Sequence, residues 1–143
     1  LASTPAFWVY KATSGQAIAN DTWTLLTFQT ETLDSDTDFD MSTYKFTPTT
    51  AGWYYLFSQV YWATATDATS ILIGITKNST TVNHIAYGTG YNYYYDSVAI
   101  SALGYANGSS DYFCAACYQN SGGSINTAAD EATHFGGYKI IGA

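Results

Sequence analysis

Hydrophobic and polar residues in this chain alternate in short runs, broken by Gly, Asn, Asp and Ser. Side chains on a strand point to opposite faces in turn, so a period of two predicts strands. The runs predicted as strands are 6–12, 23–31, 39–48, 53–63, 70–78, 82–87, 94–103, 111–119 and 134–141. They are rich in β-branched and aromatic residues. No stretch combines Ala, Glu, Lys and Leu with a 3.6-residue period, so no helix is expected. About eight to ten short strands at this spacing imply a sandwich or a barrel rather than a parallel α/β sheet.

One run breaks the usual amphipathic rule. Along 52–62 one face carries Tyr54, Leu56, Val60 and Trp62, and the other carries Trp53, Tyr55, Phe57 and Tyr61. A strand of a monomeric sandwich is apolar on one face and wet on the other. Here both are apolar, so a loop or another subunit must cover the second face, and a subunit is the favoured reading. Full burial of each such side chain contributes about 1.5–3 kcal/mol, so a few per protomer suffice for a stable oligomer.

Composition points the same way. The chain has 143 residues, enough for one domain with a sizeable core and no need of a disulfide or metal to fold. Hydrophobic residues make up 47%, aromatics 17% and charged residues only 10%, which excludes a disordered chain and leaves little charge to coat a monomer. Eleven acids face four lysines, for a net charge of -7. No basic stripe exists to neutralise phosphates, so nucleic acid and anionic membranes are excluded as partners. No apolar run reaches the ~18–20 residues of a membrane helix. The start at Leu1 rather than Met points to a fragment or processed product.

Cys114 and Cys117 have the C-x-x-C spacing of redox and zinc sites. They lie in a predicted strand, where i and i+3 point to opposite faces, so two separately packed thiols are expected. Leu33-Asp-Ser-Asp-Thr-Asp-Phe-Asp40 places Asp34, Asp36, Asp38 and Asp40 at every second position. If the run is extended, the four carboxylates share a side, and Ca²⁺ would relieve their repulsion. The alternative is a solvated acidic loop; no EF-hand pattern is present. Asn20, Asn78 and Asn107 head glycosylation sequons of the kind that arise by chance in a Thr- and Ser-rich chain.

Several segments, in order, resemble a known family. Phe46-Thr-Pro-Thr-Thr-Ala-Gly-Trp-Tyr-Tyr-Leu-Phe57 resembles the F-x-P-x-x-A-G-x-Y-x-F signature of the C1q/TNF-like jelly roll. Ile73-Gly-Ile-Thr-Lys-Asn78 is similar to its next strand, Phe135-Gly-Gly-Tyr-Lys-Ile-Ile141 to its closing strand, and Pro5-Ala-Phe7 to its opening. Asn107-Gly-Ser-Ser-Asp111 departs from the family by an insertion. Asp111-Tyr-Phe113 and Tyr118–Gly122 are more similar to C1q-like modules of bacteriophage and bacterial surface proteins. The resemblance implies an all-β, ten-strand jelly-roll sandwich over 1–143, assembled as a homotrimer, with a ligand-binding role and no catalysis.

Candidate sites follow. Trp53, Tyr55, Phe57, Tyr61 and Tyr94 are assigned to the core or the trimer interface. Recognition is expected in the loops 63–69, 88–93 and 120–133. Tyr91, Asn92 and Tyr93 would stack on or hydrogen-bond to a ligand, and Asp130 and Glu131 would add acceptors. These loops lack lysine, which suits a neutral glycan or a basic protein surface. The expected function is a non-enzymatic recognition or structural module, extracellular or on a virion surface, at the tip of a fibre or appendage. Its partner would be a host-surface glycan or protein. A knob that only trimerises, and a carbohydrate-active enzyme domain, are the alternatives.

Overall fold

In the computed structural model, which describes residues 4–63, 70–90 and 96–141, the alternating runs become strands and no helix forms among the described residues. In chain order the strands are β1 (Ala6–Tyr10), β2 (Ala17–Ile18), β3 (Thr24–Leu25), β4 (Thr30–Asp34), β5 (Phe39–Asp40), β6 (Lys45–Phe46) and β7 (Gly52–Tyr61). After these come β8 (Ile71–Lys77), β9 (His84–Gly90), β10 (Ser97–Ala106), β11 (Phe113–Gln119), β12 (Ile125–Asn126) and β13 (His134–Lys139). The first sheet runs β10-β7-β13-β1-β4, and the second runs β5-β6-β11-β8-β9 with β3 also paired to β11. The two sheets face each other as a jelly-roll sandwich.

Alternation fixes the inner faces. Phe7, Val9, Tyr54, Leu56, Val60 and Phe135 of the first sheet meet Phe46, Ile71, Ile73, Ile75, Phe113 and Cys117 of the second, all fully buried or nearly so. Phe7 sits between the layers, with ring centroids 4.0 Å from Phe46 and 4.9 Å from Phe135. β7 runs the length of its sheet, from Ala106↔Gly52 to Ser97↔Tyr61 against β10, and pairs with β13 on its other side. Gly108 closes the turn that follows β10. Its φ of +74° suits glycine, and a Cβ there would lie 2.5 Å from the Ala51 nitrogen.

Two predicted strands are broken in the structure, each for a visible reason. Run 23–31 passes from one layer to the other. Leu26 N–H donates to the Ala115 carbonyl in the second sheet, whereas Gln29 N–H donates to the Tyr10 carbonyl in the first. Run 39–48 is interrupted because the Asp40 carboxylate accepts from the Ser42 backbone and hydroxyl and from the Thr43 hydroxyl. That local turn outcompetes a ladder, and Tyr44 takes a φ of 56° at its end.

Segment 120–133 is less open than expected. β12 pairs with β2, Trp62 bridges to Thr127, and Ile125 and Thr127 are buried. Cys114 and Cys117 are free and buried on β11; burial pushes the Cys114 thiol up to about 12 and raises Cys117 as well. Lys11 is also buried, its Nζ donating to Thr27 Oγ1 at 3.0 Å. Burial pulls this amine down to about 8.

Candidate functional site

The second apolar face of β7 has no cover among the described residues. Trp53 is 45% exposed, and Tyr55, Phe57 and Tyr61 are half-buried. The pairing register extends the patch across the sheet. Opposite Trp53, Tyr55, Phe57, Gln59 and Tyr61 stand Tyr105, Leu103, Ser101, Ala99 and Ser97 of β10. On the other side, Tyr55 pairs with Tyr138, Phe57 with Gly136 and Gln59 with His134 of β13. These pair in turn with Ala6, Trp8 and Tyr10 of β1. None of these outward positions is Asp, Glu, Lys or Arg.

Trp8, His134, Phe57, Tyr55 and Tyr138 form one connected group of rings, and Trp53 and Tyr105 form a pair on the same face. Trp8 stacks on His134 at 4.5 Å and touches Phe57 at 5.6 Å; Tyr55 touches Tyr138 at 5.5 Å, and Trp53 touches Tyr105 at 5.7 Å. Such pairs hold each ring in place before anything docks. A Cβ on Gly136 would lie 2.7 Å from the Phe57 ring, so this glycine leaves the room that the ring occupies. Beside the ring ridge, Ala99 and Ser101 of β10 leave a shallow depression of about 300 Å³ edged by Tyr55, Phe57 and His134. His134 Nδ1 lies 2.8 Å from the Glu131 carbonyl and donates to it, and burial lowers the imidazole pKa while this bond opposes the shift.

The second sheet carries a different cluster on its outer face. Tyr118, Trp23, His84 and Tyr87 form a chain of rings, with successive centroids 5.8, 4.1 and 6.2 Å apart. Gly74 of β8 makes room for it, since a Cβ there would lie 2.4 Å from the His84 ring. Burial lowers the His84 pKa, and its Nε2 is buried with no hydrogen-bond partner.

The predicted site residues fare unequally. Trp53, Tyr55, Phe57 and Tyr61 share one face, as the alternation required. Tyr94 and the loop residues Tyr91, Asn92 and Tyr93 lie outside the described residues, as does most of 63–69. Asp130 and Glu131 are exposed; the Asp130 carboxylate accepts from Ala132 N–H, and the Glu131 carbonyl serves His134.

The run that holds the four aspartates is a turn rather than an extended segment, and each carboxylate is engaged separately. The chain turns after β4, and Asp34 accepts from the backbone N–H of Asp38 and Phe39 inside that turn. Asp38 is buried and accepts from Thr49 N–H. Burial pushes its carboxyl up, and Asp36 and Asp34 add to the shift. Asp40 caps its own turn, and the Ser42 and Thr43 bonds hold it down at about 2. Among the described residues no three His, Cys, Asp or Glu side chains gather as metal ligands. The sequon asparagines also work locally: Asn78 bonds Asp111 and Tyr112, and Asn107 caps the turn through Asp111.

Trp8, Leu103, Tyr105, His134 and Tyr138 were not singled out from sequence. The signal was present for Trp8, which stands between the buried Phe7 and Val9 just as Tyr55 stands between Tyr54 and Leu56. Tyr105 was missed because β10 extends three residues beyond the predicted end at 103.

No protein-family model matches the chain, and no curated protein does. Solved structures match it over nearly its full length. The globular domain of zebrafish complement 1qA protein is 16% identical with a TM-score of 0.67, covering 97% of this chain and 98% of that one. Murine APRIL is 12% identical with a TM-score of 0.73, covering 96% and 100%. Eiger TNF from S. frugiperda is 13% identical with a TM-score of 0.73, covering 99% and 96%. The fold is therefore the jelly roll of C1q and TNF domains.

Proposed function

We propose that the protein is a non-enzymatic recognition module that works as a homotrimer and binds its partner on the surface the trimer leaves open. The observation that carries this reading is the uncharged aromatic outer face of the first sheet. Monomers rarely leave a contiguous apolar patch of such breadth in water. The core of a protein interface favours Tyr, Trp and Phe and is poor in charge, and this face has that composition. Its relief offers a raised and a recessed part for copies to fit together. A ridge of rings lies beside a trench of Ala99 and Ser101, so the ridge of one copy has a different surface to enter on the next. Contacts of that heterologous kind close into rings where the rotation between copies closes. Three copies is the number implied by the resemblance to C1q/TNF-like domains.

The absence of catalysis is read from how the reactive groups are used. The thiols are buried and raised, and both histidines are packed against rings. The setting we infer is extracellular or on a virion surface, at the tip of a fibre or appendage, with a host-surface glycan or protein as partner. The similarity of 111–113 and 118–122 to bacteriophage and bacterial C1q-like modules supports it. Light scattering at micromolar concentration should return three times the 15.5 kDa chain mass. A monomer would overturn the homotrimer and the assignment of the first sheet's outer face to other copies.

A further inference from the structure

We propose that the ring strip on the outer face of the second sheet is a binding site for a neutral saccharide. The strip lies on the opposite side of the sandwich from the first sheet's outer face, and among the described residues it is an aromatic surface facing outward. The inference rests on the reading of the protein as a recognition module, though not on its oligomeric state.

Three observations support the assignment. First, the strip is built rather than incidental. Gly74 sits in a central strand, where a bare backbone weakens a sheet and often marks a close approach. Here it seats His84, on which Trp23 packs with centroids 4.1 Å apart. Secondly, the strip stays open. Tyr87 is 65% exposed, although its neighbour His84 is half-buried. Thirdly, its polar edge suits hydroxyls. Tyr118 donates to Asp21 Oδ1 at 2.9 Å, and Asp21 Oδ2 accepts from Asn20 at 2.7 Å. The carboxylate is thereby fixed at the end of the strip, with lone pairs to spare.

A pyranose ring has an apolar C–H face and a hydroxyl edge. Trp23 and Tyr87 offer faces for the first, and the exposed Asp21 offers an acceptor for the second. Charge decides the class of sugar. Lys11 is buried, Lys77 is paired with Asp111 at 2.9 Å, and Lys45 lies over Tyr112. Lys139 belongs to the first sheet. With no cation on the strip and a carboxylate at its end, sulfated and sialylated sugars are repelled and neutral ones are not.

The test is an array of neutral, sialylated and sulfated oligosaccharides, probed with the wild-type protein and with Tyr87→Ala and Trp23→Ala. Light scattering is run on each sample. Neutral glycans should bind the wild type, and each variant should lose about tenfold or more, as buried aromatic contacts do at hot spots. Tyr87 is mostly exposed, so Tyr87→Ala should keep the wild-type melting temperature even if Trp23→Ala does not. A silent array, binding confined to anionic glycans, or neutral binding that survives Tyr87→Ala would each overturn the site. A monomeric mass with neutral binding intact would overturn the trimer and leave the site standing. A trimeric mass with no binding would do the reverse.

Discussion

Phe57 lies over Gly136 on one outer face of the sandwich, and His84 lies over Gly74 on the other. The device is the same: a glycine within a paired strand leaves room for a ring that a Cβ would displace. What surrounds the ring differs. On the first sheet, rings and small residues continue across β10, β7, β13 and β1 without a formal charge. On the second, four rings make a single strip that ends at Asp21. A broad dry surface suits another protein copy, because area is what offsets the cost of ordering two large partners. A narrow strip with a hydrogen-bonding end suits a small ligand, for which a few well-placed groups fix orientation. Exposed rings alone therefore do not identify a partner; their extent and the charge around them do.

The comparison breaks most sharply at Phe57. Phe57→Asp places a carboxylate in the middle of the uncharged face. Burying it unpaired in an interface costs about 3–5 kcal/mol per copy. Phe57 is only half-buried within one chain, so the strand content should survive in far-ultraviolet circular dichroism while the scattering mass falls from three chains to one. A mass that stays at three would remove the first sheet from the interface. Tyr87→Asp, on the other sheet, should leave the mass unchanged.

The two glycines give a matched pair with smaller effects. Valine at either position drives Cβ into a ring, at 2.7 Å for Gly136 and 2.4 Å for Gly74. Forced repacking of this kind costs about 1–3 kcal/mol. Both variants should melt lower by several degrees. Gly136→Val should also weaken assembly, visible as a mass that falls on dilution. Gly74→Val should lower the melting point at constant mass. If both variants dissociate, the two faces are not separate in function.

Much of the first face was legible in the sequence, because β7 is long, regular and apolar on both sides. Alternation then fixes direction without any tertiary knowledge. The second strip was not legible. Trp23, His84, Tyr87 and Tyr118 come from three separate segments, and what joins them is the register of β8 between β9 and β11. His84 drew no attention because no motif surrounds it, and Gly74 looked like part of a family signature. The acidic run left two readings open for a related reason. A period of two in aspartates is compatible with an extended run or a loop, and here the Asp34 side chain hydrogen-bonds to nearby backbone and turns the chain. Local polar competition, which hydrophobic patterning ignores, broke run 39–48 as well.

Acid should separate the faces more gently. Burial lowers the pKa of both His134 and His84. In the unfolded chain each titrates near its ordinary ~6.5. The folded state thus favours the neutral ring, so this stability is full above that value and is lost as pH falls through the lowered folded pKa. Melting temperature should drop between pH 7.5 and 5, and His134→Gln and His84→Gln should each flatten part of the drop. His134 lies on the first face, so only its protonation should also reduce the scattering mass. An equal loss of mass in His134→Gln at pH 5 would assign acid dissociation to another group.

The smallest effect is expected from divalent cations, and it tests whether the acidic turn beside the first sheet is a third site. Asp34 spends both carboxylate oxygens on backbone N–H groups of its own turn, at 3.0 and 2.8 Å. Asp40 is held by Ser42 and Thr43 on the far side of Phe39. Gathering them around Ca²⁺, which takes about 6–8 oxygens, would mean breaking those bonds and turning Asp38 out of its buried position. A ligand that binds only the folded state raises the melting temperature. Millimolar calcium should therefore leave the melting curve where it is, and EDTA should do the same. A rise with calcium that EDTA reverses would show that the turn opens to bind the ion, and would restore the reading of the four aspartates as ligands.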